Sequence, residues 1–302
     1  SAMCVPLWHD TEVLGLLYVD NTAAVVPFEE SDLRILTFLA HLAAMKIRET
    51  EVHEELQRRE RMQAELKRAA TLQQSLLPTG ARKVGRMDIA GKNIPSFDVG
   101  GDYFDFVPGP DGRMVVSLGD VMGKGMAAAL LMTDLRATMR AQAEVGRPIT
   151  ELTSRLNRSI HENVRGERFI TLMVAMVNGE TGEIAYVNGG HNPPYLLRAD
   201  GTLETLSVGG PLLGIFPDAA YETATITLSA GDVLTLYSDG VTEARSPEGE
   251  EYGEERLEAF LRAHKDLPPE KLVNALIEDV VTFTNAVQLA DDVTVVVVRC
   301  DS

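Results

Sequence analysis

Aspartates stand at the ends of apolar segments in three parts of this 302-residue chain. Asp120 directly follows the run MVVSLG, Asp239 comes just after VLTLY, and Asp291 and Asp292 precede VTVVVV. A carboxylate at a strand end is held by the sheet and still reaches solvent. Flanking glycines, as in GDVMGKG, let the backbone approach an ion or a phosphate closely. Asp102 occupies a fourth such position, in GGDYFDF after two glycines.

The chemistry that these carboxylates favour is the binding of hard divalent cations. Oxygen ligands suit Mg²⁺ or Mn²⁺ better than zinc, and the whole chain has six histidines. Two such ions about 4 Å apart would form a clamp for in-line displacement at phosphorus. An aspartate beside a glycine is by itself more often a turn residue. The prediction therefore depends on the joint occurrence of the four motifs in this order.

The elements that must position these residues are those of an α+β domain. Apolar runs predict strands over 87–90, 114–118, 170–177, 184–187, 195–197, 223–228, 233–237 and 293–298. Helical spacing predicts helices over 125–143, 149–163, 253–263 and 269–284. Because the helices come in pairs between groups of strands, the pattern indicates sheets that carry helices on their outer faces.

The first 48 residues have a different organisation. Two apolar runs within 3–26, at 3–7 and 13–19, flank a polar turn and predict a β-hairpin. A helix follows, with Ser31 or Asp32 as its expected cap. Its apolar residues recur at helical spacing: Leu33, Leu36, Ala40, Ala43, Ala44 and Ile47.

The helix is expected to continue through a very polar segment, 48–77, until Pro78 and Gly80 end it. A weak parallel coiled coil is the preferred interpretation, because an apolar seam is visible but broken. Arg59, Gln63 and Gln73 fall near positions where core residues should be. The alternative is a solvated single helix with charge pairs at i,i+4.

Composition narrows the possible partners. The formal net charge is −17 and the pI is about 4.8, which disfavours nucleic acid and anionic membranes. A phosphorylated substrate would need local positive charge, which bound metal could supply. The two cysteines, Cys4 and Cys300, are expected to be free thiols. No bilayer-spanning apolar stretch or signal-peptide pattern is present, so a cytoplasmic location is the default expectation.

The ordered motifs resemble a known family. GGDYFDF, GDVMGKGMAAALLM, FITLMVAMVN, GGHNPPYLL, PLLG, LYSDGVTEA and DDVTVVVV are similar to the SpoIIE-type branch of the metal-dependent PPM (PP2C-like) protein phosphatases, and AATLQQSLLP resembles the segment leading into that domain. Residues 3–48, with GLLYVDN, resemble the C-terminal part of a GAF sensor domain. The expected organisation is a GAF-like fragment at 1–48, a helical linker at 49–79 and a phosphatase domain at 80–302.

The resemblance implies a fold, a reaction and a ligand set. The fold would be a PP2C-like β-sandwich flanked by helices on both faces, preceded by a long N-terminal helix. The reaction would be hydrolysis of phosphoserine or phosphothreonine by water activated by two Mn²⁺ or Mg²⁺ ions, with no protein nucleophile. Asp120 and Asp239 would be the principal metal ligands and catalytic residues, joined by the Val121 carbonyl, Asp291 and, directly or through water, Asp102.

Several residues keep alternative roles. Asp292 could replace Asp291 as ligand. Lys124 stands in the loop where eukaryotic relatives carry a histidine; a solvated lysine is favoured over a phosphate contact. For His191 a structural turn role is favoured over substrate contact. Asp105 is either an outer group of the metal site or a turn-stabilising residue.

Family resemblance also implies a partner. The substrate would be a phosphorylated STAS-type anti-sigma-factor antagonist, and the linker helix could pair two chains into a homodimer. Two other functions compete with this one: a catalytically inactive scaffold, which would have lost metal carboxylates, and a phosphodiesterase, which would differ in substrate.

Overall fold

The computed structural model describes residues 1–22, 27–285 and 288–301. The chain forms two compact units, Ser1–Leu66 and Lys67–Ser302. Within the described residues, no helix combines the length and the apolar character needed to cross a membrane.

The first unit contains the predicted hairpin and most of the long helix. Strands β1 (Ala2–His9) and β2 (Glu12–Asp20) pair antiparallel, and Asp10 turns the chain with a φ of 51°. Residues 23–26, the end of the predicted hairpin segment, lie outside the described residues. Helix α1 (Glu30–Leu76) packs Leu36 and Ala40 on Val5 of the hairpin.

The predicted helix cap is wrong in position. Helix α1 begins at Glu30, so Ser31 and Asp32 both lie in its first turn. The Asp32 carboxylate instead accepts a hydrogen bond from the Glu29 N–H at 2.9 Å. It therefore satisfies one of the free amides at the helix start from inside the helix.

The predicted apolar face of α1 is only partly buried. Leu36, Ala40 and Ala44 are buried, whereas Leu33 and Ile47 are exposed. Further along, ion pairs link side chains three or four residues apart, namely Lys46–Glu49, Arg48–Glu51 and Arg59–Glu55. These are the pairs expected of a solvated helix.

The second unit contains twelve described strands and, after the end of α1, five described α-helices. The strands are β3 (Arg82–Val84), β4 (Met87–Ile94), β5 (Tyr103–Pro108), β6 (Arg113–Val121), β7 (Ile170–Asn178), β8 (Glu183–Gly189), β9 (Tyr195–Leu197), β10 (Leu203–Thr205), β11 (Gly209–Gly210), β12 (Ala224–Thr227), β13 (Val233–Tyr237) and β14 (Val293–Cys300). The helices are α2 (Met126–Glu144), α3 (Ile149–Val164), α4 (Asp239–Thr242), α5 (Gly253–His264) and α6 (Pro269–Thr284).

The strands form two six-stranded sheets. One has the order β10-β9-β13-β14-β4-β3, and the other has the order β11-β8-β7-β6-β5 with β12 paired to β8. Alternation along β14 shows how the layers stack: Val296 and Val298 join the core between the sheets, while Val295 and Val297 pack under α5 and α6. Helices α2 and α3 cover the other sheet. The predicted α+β sandwich with helices on both faces is therefore confirmed.

Most predicted elements are present with ends shifted by one or a few residues. Strands β3, β5, β10 and β11 and the short helix α4 were not predicted. Strand β5 is the informative omission, because it is the buried strand that follows Asp102 and pairs with β6 from Tyr103↔Gly119 onward. Its sequence YFDFVP carries a buried Asp, which hides the alternation that marks a strand.

Candidate metal centre

Asp120 lies near the end of strand β6, opposite Thr171 of β7. The chain leaves the sheet after Val121 and reaches α2 through Met122–Gly125. Gly123 and Gly125 have φ values of 94° and 76°, which a residue with a side chain adopts only at a cost. The glycines of GDVMGKG therefore make the tight strand-to-helix turn behind Asp120.

Asp102 is brought beside Asp120 by a glycine pair. A Cβ atom at Gly101 would lie 3.0 Å from the Val121 carbonyl oxygen and 3.5 Å from Asp120 Oδ1, so a side chain there would crowd both groups. The Asp102 side chain is buried. It accepts a hydrogen bond from the Thr294 hydroxyl of β14. Asp102 thus connects the two sheets at the site.

Asp239 is the first residue of α4 and is separated from the end of strand β13 by Ser238 alone. A Cβ atom at Gly240 would lie 2.1 Å from the Asp292 carbonyl oxygen, so this contact requires glycine. The Ser238 hydroxyl donates to the same carbonyl at 3.1 Å. The SDG sequence therefore locks the end of β13 against the start of β14, and Asp239 reaches the same region as Asp120.

The adjacent Asp291 and Asp292 are used differently. Asp292 is buried, and its oxygens accept hydrogen bonds from the Ser96 N–H (2.7 Å) and hydroxyl (2.9 Å) and from the Gly101 N–H (2.8 Å). The Asp291 side chain is 46% exposed, and its Oδ2 forms an ion pair with Lys124 Nζ at 2.8 Å. Asp292 organises the chain before Asp102, whereas Asp291 faces the site and solvent.

The carboxylates act on one another electrostatically. Burial, followed by the charges of Asp239 and Asp291, raises the pKa of Asp120 to about 7. Burial and the neighbouring Asp120 and Asp292 raise the pKa of Asp102 well above its usual range. Burial and Asp291 also raise the pKa of Asp239. So much negative charge in one partly buried place favours protons or cations.

The side chains are not arranged as a ready-made metal site. Among the described residues, no group of three or more His, Cys, Asp or Glu side chains has the placement needed to hold an ion. The hydrogen bonds explain this, because Asp102 faces Thr294 and Asp291 faces Lys124. Asp102, Asp120, Asp239 and Asp291 are nevertheless close enough to act on one another electrostatically. Their all-oxygen character and the glycine-lined backbone fit Mg²⁺ or Mn²⁺.

His191 lies beneath the site in a fully bonded environment. Nδ1 faces the Thr171 hydroxyl at 2.8 Å, and Nε2 faces the Tyr237 carbonyl at 3.2 Å. Since a carbonyl only accepts, the proton belongs on Nε2, and Nδ1 accepts from Thr171. Burial lowers the pKa of His191 to about 4. These contacts match the structural role favoured from the sequence and tie β7 to the end of β13.

Asp105 fills neither of its two predicted roles. Its side chain is fully buried and accepts two 2.7 Å hydrogen bonds from the Arg140 guanidinium of α2. Arg136 Nε lies 3.8 Å from the same carboxylate and donates to the Leu76 carbonyl at the end of α1. Asp105 therefore joins strand β5 to α2.

Gln73 is a site-supporting residue that sequence reasoning placed elsewhere. The sequence predicts a polar break in a coiled-coil seam at Gln73, but Gln73 is buried in the second unit. Its amide donates to the Gly100 carbonyl at 2.8 Å and accepts from the Gly100 N–H at 3.0 Å. It thus fixes the backbone two residues before Asp102. The sequence did contain one signal of this role, because Gln73 is a polar residue near a position where a coiled coil needs an apolar one.

Comparison with known proteins agrees with this architecture. The family model described as Stage II sporulation protein E (SpoIIE) matches residues 110–301, and the GAF domain model matches residues 1–47. The chain is 31% identical to the phosphoserine phosphatase RsbU of Bacillus subtilis over 239 residues, covering 79% of this chain and 70% of RsbU. The chain belongs to the SpoIIE family of PP2C-type serine/threonine protein phosphatases.

Solved structures of other proteins have folds similar to that of this SpoIIE-family domain. The RsbU and RsbW domains of Rv1364c from Mycobacterium tuberculosis match with 27% identity and a TM-score of 0.63, over 72% of this chain and 61% of that one. The SiaA PP2C domain of Pseudomonas aeruginosa matches with 21% identity and a TM-score of 0.67, over 80% of this chain and 98% of that one. The second match shows the shared PP2C fold alone.

Proposed function

We propose that this SpoIIE-family domain is a two-metal phosphatase that hydrolyses phosphoserine or phosphothreonine on a STAS-type anti-sigma-factor antagonist. The observation that carries the metal dependence is the convergence of Asp102, Asp120 and Asp239 from three chain segments, where burial and neighbouring carboxylates raise the pKa of each of them. Carboxylates that disfavour each other's charge in this way bind divalent cations in exchange for protons.

The ligand set follows from which oxygens the protein leaves available. Asp120 and Asp239 are the central carboxylates, with Asp102 beside Asp120. The Asp292 oxygens are engaged by backbone N–H groups, which supports Asp291 as the ligand of this pair. The close approach of Gly101 to the Val121 carbonyl oxygen supports that carbonyl as a further ligand.

The bound ions would supply Lewis acidity and lower the pKa of water towards neutrality. The chain's own residues would hold the ions and orient the groups that bind them. The nearby hydroxyls of Ser238 and Thr294 are buried and donate to the Asp292 carbonyl and to Asp102. Neither is placed to attack phosphorus, which supports attack by water rather than by a side chain.

A protein substrate is supported by the surface around the carboxylates. Phe97, Met122 and Met126 are 50%, 44% and 42% exposed on segments that hold Asp102 and Asp120. Apolar side chains around a charged site suit contact with a folded phosphoprotein better than with a free phosphate ester. RsbU, the 31% identical relative, is named a phosphoserine phosphatase, which supports the residue type. The STAS partner is proposed from family resemblance.

The proposal is tested by offering purified protein three phosphorylated substrates with Mn²⁺, with Mg²⁺ and after chelation. These are phospho-STAS proteins from the same genome, a phosphoserine peptide and a bis-aryl phosphodiester. We expect metal-dependent release of phosphate, fastest from one phospho-STAS protein. Release from the diester alone would indicate a phosphodiesterase, and tight binding of the phosphoprotein without hydrolysis would indicate an inactive scaffold.

A further inference from the structure

Arg168 lies beside the loop that follows Asp120. The Met122 N–H donates to the Phe169 carbonyl at 3.0 Å, which fixes the start of β7 against this loop. Arg168 Nη1 donates to the Met122 carbonyl at 3.2 Å. A Cβ atom at Gly123 would lie 3.1 Å from the same nitrogen, so the guanidinium rests against the bare glycine. The guanidinium is therefore held next to the backbone that carries Asp120 and Val121.

The charge of Arg168 is uncompensated. In the described part of the chain, no carboxylate forms an ion pair with it, and its one hydrogen bond is to a neutral carbonyl. Three other cations are committed to carboxylates: Lys124 pairs with Asp291 and also donates to the Ala290 carbonyl, and Arg136 and Arg140 pair with Asp105. A free guanidinium in a chain of net charge −17 is available for an anion.

The charge balance of the proposed site calls for such a group. Two divalent ions together with Lys124 balance the five carboxylates Asp102, Asp120, Asp239, Asp291 and Asp292. A phosphomonoester dianion would then meet no net positive charge unless a further cation took part. Guanidinium groups match the geometry of phosphoryl oxygens with two parallel N–H donors.

We propose that Arg168 binds the phosphoryl oxygens of the substrate and of the product, inorganic phosphate. The inference rests on the proposed function and deepens it by assigning the substrate anion a protein contact. Arg168 would leave the Met122 carbonyl, or keep it with one nitrogen, while its remaining N–H groups contact the phosphoryl group. The metal ligands themselves are not altered by this contact.

The test distinguishes the effect of the Arg168 charge from the effect of its hydrogen bond to the loop at Met122. Arg168→Gln keeps a donor for the Met122 carbonyl but removes the charge, and Arg168→Lys keeps the charge but loses the paired N–H groups. Arg165→Gln is the matched control, because the Arg165 guanidinium forms no hydrogen bond or ion pair with the described residues although it lies three residues away. For each protein we would measure kcat and KM on an aryl phosphomonoester, inhibition by inorganic phosphate, and Mn²⁺ binding by electron paramagnetic resonance.

We expect Arg168→Gln to raise KM and the inhibition constant of phosphate about tenfold, the scale of one charge-assisted hydrogen bond. Arg168→Lys should lie between this variant and the wild type, and Arg165→Gln should match the wild type. Mn²⁺ affinity should be the same in all four proteins. An unchanged phosphate inhibition constant in Arg168→Gln, or a loss of Mn²⁺ affinity that accounts for its whole effect, would overturn the proposal.

A second measurement keeps this inference distinct from the proposed function. Calorimetric titration of inorganic phosphate into the Mg²⁺-loaded protein needs no turnover. Weaker phosphate binding by Arg168→Gln than by Arg165→Gln supports the Arg168 contact even if the wild type hydrolyses nothing. Equal phosphate binding by these two variants refutes it, even if the wild type is an active phosphatase.

Discussion

Lys124 is placed where it competes with a cation for Asp291. Its ammonium group pairs with Asp291 Oδ2 at 2.8 Å and donates to the Ala290 carbonyl at 2.6 Å. An ion bound by Asp291 must displace this partly exposed pair, whose strength is at most about 1 kcal/mol. We therefore expect Lys124→Ala to bind Mn²⁺ about two- to fivefold more tightly. Lys92→Ala, which removes a lysine bonded to Asn274, is the control; unchanged or weaker Mn²⁺ binding by Lys124→Ala would contradict this view.

The two adjacent aspartates should separate metal binding from stability. Asp291→Asn removes an exposed carboxylate and should weaken Mn²⁺ binding while leaving the metal-free protein as stable as the wild type. Asp292→Asn presents an amide to the Ser96 and Gly101 N–H donors and should cost about 1–3 kcal/mol of unfolding free energy. Mn²⁺ titration and urea unfolding of both variants check this, and the reverse pattern would show that the ligand assignment is wrong.

His191 gives the protein a specific acid sensitivity. Its pKa is about 4 in the folded protein, against an ordinary value of 6.5. The unfolded chain therefore binds this proton more readily between pH 6.5 and 4, and stability is lost as the pH falls through that window. The loss from this group between pH 7 and pH 5 is about 2 kcal/mol.

His191→Gln should remove that part of the pH dependence, while replacement of His53 on the exposed face of α1 should keep it. Urea unfolding at pH 7 and pH 5 provides the comparison. The same pH dependence in wild type and His191→Gln would exclude His191 as its source. The variant should also keep measurable phosphatase activity, because His191 is buried and bonded to the protein on both ring nitrogens.

At the scale of elements, the sequence predicts features that depend on neighbouring residues, such as strand ends and the order of strands and helices. Asp120 and Asp239 could be found because a carboxylate after an apolar run marks a strand end, and the sandwich followed from paired helices between groups of strands. The contact between Lys124 and Asp291 joins residues 167 positions apart, and that between Gln73 and Gly100 joins residues 27 apart. Neither leaves a periodic pattern, because each depends on how separate elements pack.

Helix α1 has a regular pattern of exposed apolar side chains that was not predicted from the sequence. Exposed apolar side chains on α1 follow three- and four-residue steps over Ile35, Phe38, Leu42 and Met45 and again from Val52 to Leu56, with Glu49 at the position between the two groups. This is the heptad spacing of a coiled-coil seam, and it begins before the polar segment 48–77 in which the broken seam was predicted. Leu36 and Ala40 face the hairpin, so the seam and the buried face are separate.

We propose that this seam pairs two chains in parallel. Leu42→Asp should shift the protein towards monomer in sedimentation or light scattering, because it introduces charge at the centre of the seam. Leu33→Asp, on the same helix but outside the heptad positions, should leave assembly unchanged. Monomer alone for the wild type at high concentration would refute the pairing.

At the scale of the whole molecule, the proposed phosphatase activity requires divalent metal held by Asp120 and Asp239. Asn keeps the size of Asp but removes one negative charge and one anionic ligand oxygen. Each of Asp120→Asn and Asp239→Asn should therefore lower the rate of phosphate release by about a hundredfold or more, or raise the metal requirement sharply. The fold should survive, since removing one carboxylate relieves repulsion in the metal-free site.

The most direct measurement is single-turnover dephosphorylation of a phosphoserine substrate at titrated Mn²⁺, with Asp134→Asn on α2 as the matched control. We expect wild type and Asp134→Asn to respond alike to Mn²⁺ and to stop after chelation, and the two site variants to be slow at every concentration that saturates the wild type. Wild-type turnover undiminished by thorough chelation, or full activity of Asp239→Asn, would contradict the two-metal account.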